Sequence, residues 1–476
     1  MSSKKGFDPY LLVSGFALFA MFFGAGNLIF PFQVGLTAGH NVILGVLGVL
    51  LTGVLLPVVG MLAASTDSHG LGRIADRIGR IPGLVLTLAI FLFTGMLYAV
   101  PRVVTVSWEM AAKPLTGISA DNATASSGGL FAYSVFFFVI TLLVLSRPDR
   151  IIDRIGQYLT PALLILLLVM IALAMFTMPS VETANPDPNY AHAPFVTGLK
   201  TGYGTMDALA SLVFGVVIIT QLHAHGYNEK RTVFRATALS AGVAGASLAV
   251  VYTGLAFTGT RVADQEFANP AAGLAYAANQ IFGNFGQALF SLIVFLACIT
   301  TAVGLFGAST QYYSDLFPKV PRWVLLAFQV VASIAISNLG LENILAVILS
   351  IGLVTYPPAM CLILIALLDY FVKPYQFHWT YRLPAWIAAI IGVFEAASAF
   401  SMPILGSEPF AWQVSLQKAL EYLPWGNIQM AWVVPALICF VIGLVWDIAR
   451  PVDPAKLPPS LVPSGIPDRL STRDED

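Results

Sequence analysis

The chain has 476 residues, 57% of them hydrophobic and 10% charged, where soluble domains usually carry about 25% charged residues. So few charges cannot hydrate the exterior of a core this large, and a lipid bilayer takes that role. With 24 Lys and Arg against 25 Asp and Glu there is no basic field for nucleic acid, and the three cysteines, Cys298, Cys361 and Cys439, lie in apolar runs that offer neither a disulfide framework nor a zinc site.

A helix needs about 20 mostly apolar residues to cross the hydrocarbon core. The sequence predicts twelve such spans, at 10–36, 41–65, 83–112, 130–146, 159–178, 203–221, 234–259, 285–313, 323–338, 344–370, 384–404 and 427–447. The runs are continuous rather than alternating, so the expected class is all-α and a β-barrel is excluded. The first span is too long, too rich in glycine and followed by too many others to be a cleaved signal peptide. Lys and Arg test the layout, because short cytoplasmic loops hold most of the positive charge. With the N-terminal segment 1–9 inside, 19 of the 24 fall in cytoplasmic segments, while Lys113, Lys200, Arg261 and Lys418 lie outside and Arg102 within a span. Both termini are then cytoplasmic. Pro179–Pro194 reads as an external connector and 451–476, rich in proline, as a disordered cytoplasmic tail. The sequon at Asn122 faces outward, without a secretory context to make it a glycosylation site.

In the first span, Gly24, Gly26, Asn27 and Pro31 fall within eight residues. Gly costs about 1 kcal/mol and Pro about 3 kcal/mol in a helix interior. In lipid the freed backbone groups must find partners, so such a cluster points to an unwound segment lining a protein-enclosed cavity. The alternative is a glycine packing face with a proline kink. The sixth span repeats the pattern faintly: Ala17-Leu18 and Phe23-Gly24 align with Ala208-Leu209 and Phe214-Gly215. The two spans enter from opposite sides. Interrupted helices at matching places in oppositely oriented halves point to a transporter binding site near the midplane. Spans one to five (10–178) and six to ten (203–370) form the expected inverted repeats, and 384–447 adds two helices. In the eighth span, Thr300 and Thr301 either bond back to carbonyls one turn earlier or supply oxygens to a hard cation.

Phe22–Pro31 (FFGAGNLIFP), Thr94–Glu109 (TGMLYAVPRVVTVSWE) and Tyr203–Gly215 (YGTMDALASLVFG) resemble the bacterial branched-chain amino acid:cation symporters, and the likeness runs along nearly the whole chain. That family is similar to the sodium-coupled carriers of the leucine-transporter fold, a five-plus-five inverted repeat. The resemblance implies a sodium site made by the carbonyls of Ala20, Phe23 and Ala297 and the hydroxyls of Thr300 and Thr301. It implies a substrate carboxylate on the amides at the break, among Gly24, Ala25, Gly26 and Asn27, where a half-helix end favours an anion. Ser211 and nearby carbonyls would meet the ammonium, Phe214 would close over the side chain, and Tyr98 would form a lid. Leu209 stands where the fold's second sodium site has a threonine, and Thr237–Ser247 lacks its asparagine, so one cation per cycle is expected. No other cofactor is implied. The expected location is the bacterial inner membrane.

Charge at membrane depth costs roughly 2.5–3.5 kcal/mol and marks functional candidates. Arg102 and Asp207 fall at similar depth in the outer half and are expected to pair as an outer gate. Glu109 is expected to be solvated near the outer end, Glu395 to be a packing residue, and Asp369 and Asp447 to be hydrated at cytoplasmic helix ends. His223 and His225 lack the further ligands a metal needs. The expected function is import of leucine, isoleucine or valine by sodium symport, with a proton-coupled carrier of another small neutral amino acid as the alternative. A channel wants a continuous polar pore, which these clustered breaks do not make. No HExxH, GxSxG or GxxxxGK[ST] motif is present, so neither catalysis nor ATP drive is expected.

Overall fold

The computed structural model describes residues 8–66, 71–116, 123–146, 148–179, 185–372, 377–400 and 409–450. The first seven residues, the sequon at Asn122 and the tail 451–476 lie outside them. The described residues are helical throughout, without strands. In chain order they form α1 (Pro9–Phe22), α2 (Ala25–Thr37), α3 (Gly39–Ala64), α4 (Leu71–Asp76), α5 (Arg80–Thr116), α6 (Ala123–Leu145) and α7 (Pro148–Thr177). Then come α8 (Pro188–His192), α9 (Pro194–Tyr203), α10 (Asp207–Ala224), α11 (Lys230–Thr260), α12 (Pro270–Leu316) and α13 (Arg322–Ser337). The chain closes with α14 (Leu341–Phe371), α15 (Trp379–Ala399), α16 (Ala411–Leu420) and α17 (Val433–Ala449). Among the described residues eight helices are long and apolar enough to cross a membrane, nine when α1 and α2 count as one bent span. Leu164–Thr177, Arg322–Ser337 and Val433–Ala449 are apolar but shorter.

The first span breaks where its glycines stand. Asp8 caps α1 by accepting from the Tyr10 amide at 3.0 Å. Phe23 and Gly24 are extended, and α2 leaves α1 at 74°. Asn27 holds the bend: its Oδ1 accepts from the Gly24 N–H at 3.1 Å, the donor that would otherwise close the helical turn on the Ala20 carbonyl. Pro31 inside α2 lacks the N–H that the Asn27 carbonyl would take.

Two expectations need correction, and the third span adds a departure of its own. The sixth span is interrupted at Gly204–Met206, between α9 and α10, and runs unbroken through Phe214-Gly215. Met206, with φ of 65°, makes the turn, and a left-handed methionine leaves no mark in composition. The third span is not a plain helix. Gly95 (φ −94°, ψ −117°) and Tyr98 (φ −142°, ψ −62°) depart from helical geometry ahead of Pro101, whose ring cannot donate to the Leu97 carbonyl. Asp369 and Asp447 are buried rather than hydrated: Asp369 lies 3.5 Å from Arg77, and Asp447 accepts from the amides of His378, Trp379 and Thr380 that open α15. Buried acceptors of this kind do the work water would do at an exposed helix end.

Small residues set the packing of the broken helices. A Cβ on Gly35 would strike the Ala256 carbonyl, and one on Gly259 the Phe32 carbonyl, so α2 lies backbone to backbone on α11. A Cβ on Gly15 would come within 2.9 Å of the Ser240 carbonyl, so α1 lies on the same helix nearer its start. On the other side, α9 approaches α3 through Gly45 and Gly198, and α10 through Gly60 and Gly215. Each broken span is therefore laid along one long partner, through contacts that only small residues permit.

Candidate functional site

The two interruptions face each other across a narrow cavity. Its polar side is made by Gly24 and Asn27 at the first break, Thr205 and Asp207 at the second, Thr94 and Arg102 from α5, and Thr301 from α12. Its apolar side is made by Met21, Phe22, Val103, Ala210, Phe214 and Leu305. Phe22 and Phe214 meet edge to face at 5.7 Å.

Asn27 is the organising side chain. While its Oδ1 holds Gly24, its Nδ2 donates to Asp207 Oδ2 at 2.6 Å and also contacts the Tyr252 hydroxyl. Tyr252, from α11, donates to the same Asp207 oxygen at 2.6 Å. Helix α10 starts at Asp207, so its first turn presents a carboxylate where the helix dipole favours one. The cluster ties both breaks to α11.

Arg102 is the second buried charge. Its Nη1 donates to the Gly204 carbonyl, freed by the second break, and lies 3.4 Å from the Tyr98 hydroxyl. The guanidinium carbon sits 5.0 Å from the Tyr98 ring centre and 5.5 Å from that of Phe30. It rests on Gly26, where a Cβ would lie 2.6 Å from Nη2. Arg102 and Asp207 thus share one site, and in this conformation each is bonded to other groups rather than to its expected partner.

The candidate sodium ligands converge in part. Thr301 lies against Gly24, where a Cβ would be 3.3 Å from its Oγ1. The hydroxyls of Thr300 and Thr301 both donate to the Ala297 carbonyl, at 2.8 and 3.0 Å. Donation uses the hydroxyl protons and leaves their oxygen lone pairs free to meet a cation. Ser211 stands apart: its hydroxyl donates to the Ala208 carbonyl at 2.7 Å and packs on Gly60 of α3. Outside the cavity, Glu109 pairs with Lys113 at 3.1 Å, Glu395 accepts from the Ala431 amide at 2.7 Å, and His225 stacks on Tyr10. Thr205, Met206 and Tyr252 are site residues that the sequence reading missed. The Asp207 side chain, already singled out for its charge, was the available signal for a buried donor such as Tyr252.

Over residues 8–450 the sequence matches the family described as "Branched-chain amino acid transport protein". The chain belongs to that family. It is 37% identical to the branched-chain amino acid permease BrnQ of Corynebacterium glutamicum over 94% of this chain and 96% of that protein. It is 34% identical to the branched-chain amino acid transport system 2 carrier protein of Pseudomonas aeruginosa over 94% of this chain and 98% of that protein. Against BrnQ of Escherichia coli the identity is 33% over 92% and 95%. The family is one of multi-pass membrane transporters, not enzymes. The fold is similar to an inward-facing structure of Mhp1, with a TM-score of 0.59 at 15% identity over 92% of this chain and 91% of that one. A structure of an Eremococcus coleocola manganese transporter aligns with a TM-score of 0.55 at 13% identity over 94% and 97%. At such identities the likeness concerns the fold alone.

Proposed function

We propose that this protein imports leucine, isoleucine and valine across a bacterial inner membrane by symport with sodium, as a twelve-span carrier with both termini cytoplasmic. The observation that carries the reading is the meeting of two interrupted helices around one cavity that is polar on one side and apolar on the other. The polar side suits an amino acid's charged end, the apolar side a branched aliphatic chain. The relatives' names support the substrate class.

A five-plus-five inverted repeat is supported by the packing. The first span lies on the seventh (α11) and the sixth on the second (α3), the exchange that a two-fold axis relating spans 1–5 to spans 6–10 would produce. The substrate carboxylate lies at the first amides of α2, near Gly24, Ala25, Gly26 and Asn27, with Phe214 over its side chain and Tyr98 packed beneath Arg102. Sodium is held by the carbonyls of Ala20, Phe23 and Ala297 and the hydroxyls of Thr300 and Thr301, one ion per cycle. A second reading, proton coupling, is favoured by one observation: Asp207, a carboxylate 2% exposed, lines the cavity. Uptake of labelled valine into proteoliposomes carrying a sodium gradient, a proton gradient or neither tests both. Sodium-driven accumulation supports the proposal. Accumulation driven only by protons replaces the ion, and equilibration without a gradient effect removes the symport.

A further inference from the structure

Two features of the cavity bear on how the charged end of the substrate is read. Arg102 is 4% exposed and Asp207 2%, and both line the same small space. Buried opposite charges normally pair, because each alone pays a desolvation cost that only its partner offsets. Here they do not. Arg102 Nη1 is drawn to the Gly204 carbonyl, and its Nε is buried without a hydrogen-bond partner. Asp207 Oδ2 is held by Asn27 and Tyr252. A carboxylate offers about four acceptor sites, so those two bonds leave capacity for another donor.

The two charges stand in different surroundings. Arg102 rests on Gly26, beside the first amides of α2, where unpaired N–H groups and the positive end of a helix dipole add to its pull on an anion. Asp207 stands at the second break, anchored through Asn27 and Tyr252 to α2 and α11. The lining of the site is therefore positive at one place and negative at another.

We infer that Arg102 and Asp207 are the specificity-determining pair for the zwitterion: Arg102 binds the α-carboxylate together with the amides of α2, and Asp207, oriented by Asn27 and Tyr252, binds the α-ammonium. The inference rests on the amino-acid carrier reading above. It recasts the expected gate, for the substrate itself completes the bridge between α5 and α10. An acid without an ammonium, or an amine without a carboxylate, leaves one buried charge unanswered and is rejected.

The test is equilibrium binding to the purified full-length protein in lipid nanodiscs at fixed sodium. Three ligands of one shape are compared: leucine, 4-methylpentanoate (no ammonium) and 3-methylbutylamine (no carboxylate). The native protein is expected to prefer leucine over either analogue by about 100-fold. Asp207→Asn weakens leucine by about 30-fold while 4-methylpentanoate binds as well as to the native protein or more tightly, since that ligand never used the carboxylate and no longer leaves its charge unanswered. Arg102→Gln does the reverse, weakening leucine and 4-methylpentanoate but leaving 3-methylbutylamine. Where either variant is not monodisperse, Asp207→Glu or Arg102→Lys carries the same comparison with a smaller shift in the same direction. Loss of all three ligands in parallel assigns the residue a structural role and overturns the inference. So does unchanged discrimination, or a changed sodium requirement with discrimination intact. Failure of the native protein to bind leucine at all would instead remove the carrier reading, a separate result.

Discussion

The breaks in the first and sixth spans face the same cavity but are built differently. The first is local: Phe23 and Gly24 unwind, and Asn27, three residues on, supplies the cap from its own side chain. The second is held from outside. Met206 occupies the left-handed region, at a cost of roughly 1–2 kcal/mol for a residue with a Cβ. The Gly204 carbonyl it releases is taken by Arg102 from α5. The cap of the first break lies within its own segment, although the same Asn27 side chain also bonds Asp207 and Tyr252. The second is held by one guanidinium from another helix and, if a ligand draws Arg102 away as inferred above, is the one expected to respond.

Four variants probe that contrast. Gly26→Leu has the largest expected effect, because any side chain there meets the Arg102 guanidinium and fills the approach to the first amides of α2. Leucine binding should fall by at least about 100-fold, roughly 3 kcal/mol, in an equilibrium assay. Near-native affinity would show that the first break takes no part in binding. Thr300→Ala combined with Thr301→Ala removes two of the five proposed ion oxygens, so sodium stimulation of leucine uptake should vanish while the protein stays in the membrane. Retained sodium dependence in proteoliposomes sinks that ligand set.

Gly204→Ala addresses the second break directly. Its Cβ would enter the Phe30 ring, pushing the break away from α2, and a loss of about tenfold in uptake is expected. An unaffected rate would mean the second break tolerates displacement and is not conditional. The smallest effect belongs to Ser211→Ala. Its hydroxyl serves only the Ala208 carbonyl and the face of α3, so valine uptake should stay within about twofold of native. A large loss would return Ser211 to the substrate and place the functional break nearer Phe214.

What the sequence made legible follows the same division. Glycine, asparagine and proline clustered in an apolar run announce an interruption, because no other use of them in lipid is as cheap. The first break was therefore readable to the residue. The second was misplaced by about ten residues, since the Ala-Leu…Phe-Gly likeness follows helix packing: Gly215 is small because Ala64 lies against it. Arg102 and Asp207 were readable as charges out of place, but their partners were not. A lone tyrosine such as Tyr252 on an apolar helix looks the same whether it packs or donates. The departure from helix at Gly95–Tyr98 was written in Pro101, yet proline in a membrane helix more often makes a mere kink.

Helix α11 is an uninterrupted rod that touches α1 near Ser240 and α2 near Ala256–Gly259. A rod that tilts about its middle carries its two ends in opposite directions. Any tilt of α11 would therefore be felt in opposite senses by α1 and α2, which it touches near its two ends.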